Sequence, residues 1–248
     1  MTGPRRNPRG FTLLEVMVTM AIGSVLLLVA ATLLGGAGQT YDRGSGSVAA
    51  EREARAVLTQ LGEDFSKAEW HDDTVFEPQG EGWKQDRVGF LSLQPDDAQS
   101  KGGRTGDLCA LHYYVKDIEV GNSVVRCLMR GFHESGEVFP ELLTGSVGSL
   151  FDEQDVDEPV AFGVLSFEAT PLVLAEATGK YEDWKPGGAE PQPDAVRVRL
   201  VIARRELLGK LTSTKEWDSS PLRGNPTEAA NNRDLEVYEV IQRFGNNA

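Results

Sequence analysis

Three arginines, Arg5, Arg6 and Arg9, lead to Gly10, and an apolar run follows from Phe11 to Leu34 in which Glu15 is the only charge. A carboxylate deep in a membrane helix costs roughly 2.5–3.5 kcal/mol on insertion scales, and less near a helix end. The chemistry open to Glu15 is therefore pairing with a cation inside an apolar medium. The other chemistry-bearing residues show no comparable spacing. His71, His112 and His133 lack metal-ligand separations, and the chain has no H-E-x-x-H, G-x-S-x-G or phosphate-cradling glycine loop. His112 stands beside Tyr113 and Tyr114, where a packed or surface histidine is expected before a catalytic one. Asp152, Glu153, Asp155, Asp157 and Glu158 offer carboxylates for calcium, but without the glycine and distal glutamate of an EF-hand loop they read as a solvated acidic segment. No catalytic residue, metal site or cofactor is expected.

The elements that must position Glu15 follow from hydropathy. As a helix, residues 11–34 reach about 36 Å at 1.5 Å per residue, enough for a hydrocarbon core of roughly 30 Å. A secretory signal would be cut beyond its apolar region, at small residues. Ala30-Ala31 and Gly35-Gly36-Ala37-Gly38 keep that alternative, and with it an anchored periplasmic binding protein or enzyme, in view. The basic leader orients a single pass, with the N-terminus in the cytoplasm and everything beyond Leu34 on the other side of the membrane. That compartment permits disulfides, which makes Cys109 and Cys127 a candidate pair.

Of the 248 residues, removing about 70 for leader and helix leaves near 180, a common size for one domain. The net charge of −13 becomes −16 once the three arginines of the leader are removed, which argues against nucleic acid as a partner. Residues 35–70 open with a glycine-rich, flexible segment and continue as an amphipathic helix. Ala50, Ala54, Val57, Leu58, Leu61, Phe65 and Ala68 form its stripe, with an end expected near Trp70. Residues 71–248 then alternate, giving one periplasmic β-rich domain with strands at 88–93, 108–116, 124–132, 160–169, 196–205 and 235–244 in an antiparallel sheet with one wet side. Val196, Val198, Leu200 and Ile202 point to the core, and Arg197, Arg199 and Val201 away from it. Gly121-Asn122 is the expected hairpin turn. It would set Cys127 opposite Lys116, so a bridge to Cys109 needs another register. Residues 94–107, 177–194 and 212–232 read as loops.

The stretch Arg9-Gly10-Phe11-Thr12-Leu13-Leu14-Glu15 resembles the processing site of type IV pilins and of the pseudopilins of type II secretion. The resemblance implies a leader at 1–10 cut between Gly10 and Phe11 by prepilin peptidase, N-methylation of Phe11, and pairing of Glu15 with the Phe11 ammonium of a neighbouring subunit during assembly. Further on, Leu111-x-Tyr113, Leu128-x-Arg130, Gly163-Val164 with Phe167, and Trp184 followed by Pro193-Asp194-Ala195-Val196-Arg197-Val198 resemble the J-class minor pseudopilin. Gln192 stands where that class usually has leucine. The implied fold is α+β and type IV pilin-like, a long helix at 11–34 and 35–70 packed on antiparallel strands. The implied role is structural, at or near the tip of a type II secretion pseudopilus. The implied partners are other minor and major pseudopilins and an inner-membrane assembly platform with a cytoplasmic ATPase. A minor pilin of a type IV pilus is the alternative.

Overall fold

The computed structural model describes residues 13–94, 106–188 and 190–245, without the side chains of residue 15 and of residues 33–50. It divides into two units, Met1–Ser45 and Gly46–Ala248. Helix α1 (Leu13–Ser66) contributes to both, and its backbone stays helical through Gly35–Gly38 and Gly44–Ser47. Each of those glycines costs roughly 1 kcal/mol of helix stability relative to alanine.

In the second unit, Ala54, Val57, Leu61 and Phe65 recur at helical spacing and are buried, with Ala68 completing the stripe. The helix stops at Ser66, earlier than expected, because the chain is drawn into a sheet. Strand β1 (Ala68–Glu69) pairs with β3 (Arg87–Leu93), the Lys67 carbonyl accepts from Leu93 N–H, and the Phe65 carbonyl accepts from Gly245 N–H. Strand β2 (Val75–Glu77) follows on the same edge of β3.

Next come β4 (Leu108–Val120) and β5 (Ser123–His133), joined by the expected two-residue turn, where Gly121 adopts φ +63°. Helix α2 (Ser135–Thr144) and a 3₁₀ turn (Gly148–Phe151) precede β6 (Glu158–Phe162). The strand expected over 160–169 is two strands. Gly163, at φ +73°, breaks the run, so that β6 pairs with β5 while β7 (Val164–Ala175) enters a second sheet. The remaining elements are β8 (Lys180–Asp183), β9 (Ala195–Ala203), α3 (Arg205–Leu208), α4 (Thr214–Ser219) and β10 (Leu235–Arg243), with 3₁₀ turns at Pro221–Arg223 and Pro226–Asn231.

Among the described residues, then, there are two antiparallel sheets where one was expected: β1-β3-β4-β5-β6 with β2 beside β3, and β10-β9-β7-β8. Both contribute to one core under α1. Phe90, Leu111, Leu128 and Ala161 come from the first sheet, and Phe167, Val196, Val198 and Leu200 from the second. Asp86 ties the two together, accepting from Gln79 N–H at 3.1 Å and Ala169 N–H at 3.0 Å.

The far face of β9 is wet only in part. Arg197 and Arg199 are half-buried, but Val201 and Ala203 are sealed by Trp83, Leu207, Leu211 and Trp217. Residues 212–232, expected as a loop, therefore fold over the sheet. The indole of Trp217 donates to the Val124 carbonyl at 2.9 Å. Arg126 donates to Asp117 at 2.6 Å and to Asp218 at 2.7 Å. The segment 177–194 likewise contains β8, whereas residues 95–105 lie outside the described residues.

Candidate functional site

Gly10 and Phe11 lie outside the described residues, and Glu15 falls within the first turn of α1 with its side chain undescribed. The helix they introduce is apolar on every side. Leu13, Leu14, Met17, Met20, Ile22 and Val25 through Val29 are all exposed, so no single face is left for water. Its hydroxyls turn inward on the backbone: Thr19 donates to the Val16 carbonyl, Ser24 to Ala21 and Thr32 to Val29, at 2.8–3.0 Å. Internal satisfaction of this kind suits a medium without water. No helix of the described residues is long and apolar enough to cross a membrane, the described side chains of this run being those of Leu13, Leu14 and Val16 to Thr32.

In the second unit, a buried carboxylate on α1 joins helix to sheet. Asp64 accepts from Arg130 Nε at 2.9 Å and from Gln94 Nε2 at 2.9 Å, and Tyr113 donates its hydroxyl to the same carboxylate. Burial, with the Asp64 charge beside it, raises the Tyr113 hydroxyl far above its ordinary range and keeps it a donor. Both carboxylate oxygens of Asp64 face donors, the condition under which a buried charge is tolerated. That is a positioning arrangement.

A second polar cluster lies on the opposite face of the first sheet. His112, wholly buried, stands 3.0 Å by its Nε2 from Asp157 Oδ2, and Tyr114 donates to the same oxygen at 2.8 Å. The acids of 152–158 disperse to separate partners, Asp152 to Arg87 at 2.8 Å and Glu153 to Lys116 at 3.8 Å. Among the described residues no group of His, Cys, Asp and Glu could hold a metal ion. Cys109 and Cys127 are buried and not bridged to each other. Cys127 pairs across from Lys116, as the turn implied, seven residues along β4 from Cys109, or about 24 Å at strand rise, far beyond disulfide reach.

Residues 5–31 match the prokaryotic N-terminal methylation motif. The match contains Gly10, Phe11 and Glu15. A solved type IV-like pilin from Thermus thermophilus is similar at 14% identity over 78% of this chain and 96% of that one, with a TM-score of 0.40. No curated protein matches. The chain thus carries that motif at its N-terminus, ahead of a long helix followed by antiparallel sheets.

The positions that carried the finer resemblance are chiefly core positions. Leu111, Leu128, Val164, Phe167, Val196 and Val198 face the α1 stripe. Trp184 packs edge-on against Trp70 at 5.3 Å. Tyr113 and Arg130 meet at Asp64, which the apolar stripe did not mark, since a carboxylate one residue before Phe65 breaks no periodicity. The signal that could have found it was the pairing of tyrosine and arginine on neighbouring strands.

Proposed function

We propose that this chain is a minor pseudopilin: a structural subunit at or near the tip of a type II secretion pseudopilus, cut between Gly10 and Phe11 and N-methylated on Phe11 by prepilin peptidase. The observation that carries the reading is the methylation motif at 5–31, leading into a helix whose apolar side chains are exposed all round. Such a surface needs lipid before assembly and other apolar helices after it. The helix anchors the chain in the inner membrane with the domain in the periplasm. Other minor and major pseudopilins pack beside it, and an assembly platform with a cytoplasmic ATPase supplies the work of extraction. The role is structural, not enzymatic. The segments folded over both sheets, 134–157 and 205–234, add bulk that suits a low-copy tip subunit better than one repeated along a fibre.

Mass spectrometry of the protein isolated from its own cell tests this. The mature chain should begin with N-methylated Phe11, and Gly10→Val should accumulate the uncut precursor. A deletion strain should lose protein secretion and keep its surface pili. Loss of pili with secretion intact would assign the chain to a type IV pilus, and an N-terminus near Thr40 would overturn both assignments in favour of a secreted protein.

A further inference from the structure

The first sheet turns Leu111 and Tyr113 toward α1 and, by strand alternation, Ala110, His112 and Tyr114 away from it. That outer face is closed by the segment between β5 and β6, from Glu134 to Asp157. The apolar part of this cover seats Val138, Val147, Leu150 and Phe151 on Leu91 and Ala110. Its polar part is fastened through histidine: Asp157 to His112 at 3.0 Å, and Glu137 and Gln154 to His133 at 2.9 and 3.2 Å.

His112 is fitted tightly. Its ring stacks on Tyr114 and on His133, and a Cβ on Gly131 across the ladder would meet it at 1.9 Å. Its Nε2 is committed to Asp157, while its Nδ1 is buried with no hydrogen-bond partner. A neutral ring tolerates this, with its one proton on Nε2 and a lone pair on Nδ1. A protonated ring cannot, since the second N–H would point at no acceptor, and an unpaired buried donor is costly.

We propose that the cover is an acid-sensitive latch, opening locally when Nδ1 of His112 takes a proton and exposing the outer face of the first sheet. The groups around His112 set the sign. Arg87 of β3 and His133 of β5 oppose a further positive charge, and Asp157 favours it. Tyr114 stays a neutral phenol, its hydroxyl raised by burial and by Asp157. Asp152 is engaged by Arg87, Glu153 by Lys116, and Glu137 by His133. Burial outweighs Asp157, so the His112 imidazole is held below its ordinary 6.5. A histidine lowered on folding gives stability that is complete above 6.5 and is lost as pH falls below it. Asp157 is held below its ordinary 3.8, so its own protonation acts only in stronger acid. The two steps are separable by pH.

Hydrogen exchange of the full chain in detergent micelles, corrected for the intrinsic pH dependence of exchange, tests the latch. Between about pH 7.5 and 5, peptides in 134–157 should lose protection by roughly tenfold, the scale of one unpaired buried donor, while peptides of α1 and β9 hold theirs. His112→Gln keeps an N–H for Asp157 and cannot be protonated there, so it should remove the pH response, whereas His133→Gln should keep it. Unchanged protection of the wild type across this range overturns the proposal, whether or not His112→Gln folds. A response that survives His112→Gln or vanishes in His133→Gln overturns it as well.

Discussion

Asp64 on α1 and Arg130 on β5 form an ion pair at 2.9 Å with side chains only 6% and 16% exposed, a charged clasp between the helix and the first sheet. Burying such a pair is roughly neutral against well-packed apolar residues, but removing one partner strands the other charge and costs about 3–5 kcal/mol. Asp64→Ala would leave both the Arg130 guanidinium and the Tyr113 hydroxyl without their acceptor. Chemical denaturation should show that full loss, and the double variant Asp64→Leu with Arg130→Met should recover most of it. If Asp64→Ala costs less than about 1 kcal/mol, water satisfies Arg130 and the clasp does not position the helix.

Gly131 and His112 share a register position on β5 and β4, and the ring occupies the space a side chain would need. Gly131→Ala should therefore destabilise by about 1–3 kcal/mol, as overpacking does. His112→Ala empties that space, so the two changes together should cost less than the sum of each alone, the coupling expected of residues in contact. Additive losses in a double-mutant cycle would show that the ladder shifts to admit the methyl group and that His112 is not held by Gly131.

Parts of this fold are legible in the sequence for a physical reason: periodicity reports burial. The stripe from Ala54 to Phe65 and the alternation from Val196 to Ile202 each face the core, and Gly121-Asn122 fixes the hairpin register to the residue. What periodicity misses is burial on the second face. Val201 and Ala203 are dry because Trp217 and its segment cover them, and that segment has the Pro, Asn and Ser content of a loop. It holds through Arg126, whose guanidinium lies 5.8 Å from the Trp217 ring centroid. Gly163 is hidden as a breakpoint because apolar residues flank it on both sides; its positive φ and the change of partner strand show the chain changing sheets. In the candidate site, Glu15 stood out because a lone charge in an apolar run is conspicuous. Asp64 did not, because a carboxylate among helical surface residues is common.

Glu15 offers the sharpest separation between a filament subunit and an enzyme or binding protein merely held at a membrane. Its position lies in the first unit, whereas the Asp64 clasp, the shared core and the His112 cluster all lie in the second. Glu15→Leu removes a charge from an apolar run, so membrane retention should hold or improve, and denaturation of the second unit should be unchanged. On the proposal that Glu15 pairs with the Phe11 ammonium of an adjoining subunit, filament function should still fall sharply, because that ammonium would be left without a counter-charge in a low-dielectric medium, where an unpaired ion is costly. Glu15→Asp, which keeps the charge on a shorter arm, should lose less than Glu15→Leu; Glu15→Gln, which keeps the shape without the charge, should lose nearly as much. The measurements are crosslinking to neighbouring subunits, the secretion assay and membrane fractionation, made on the same strains. Full secretion and unaltered crosslinking in Glu15→Leu would mean that the carboxylate does not pair between subunits, and the assembly role would have to move to the apolar faces of the helix alone.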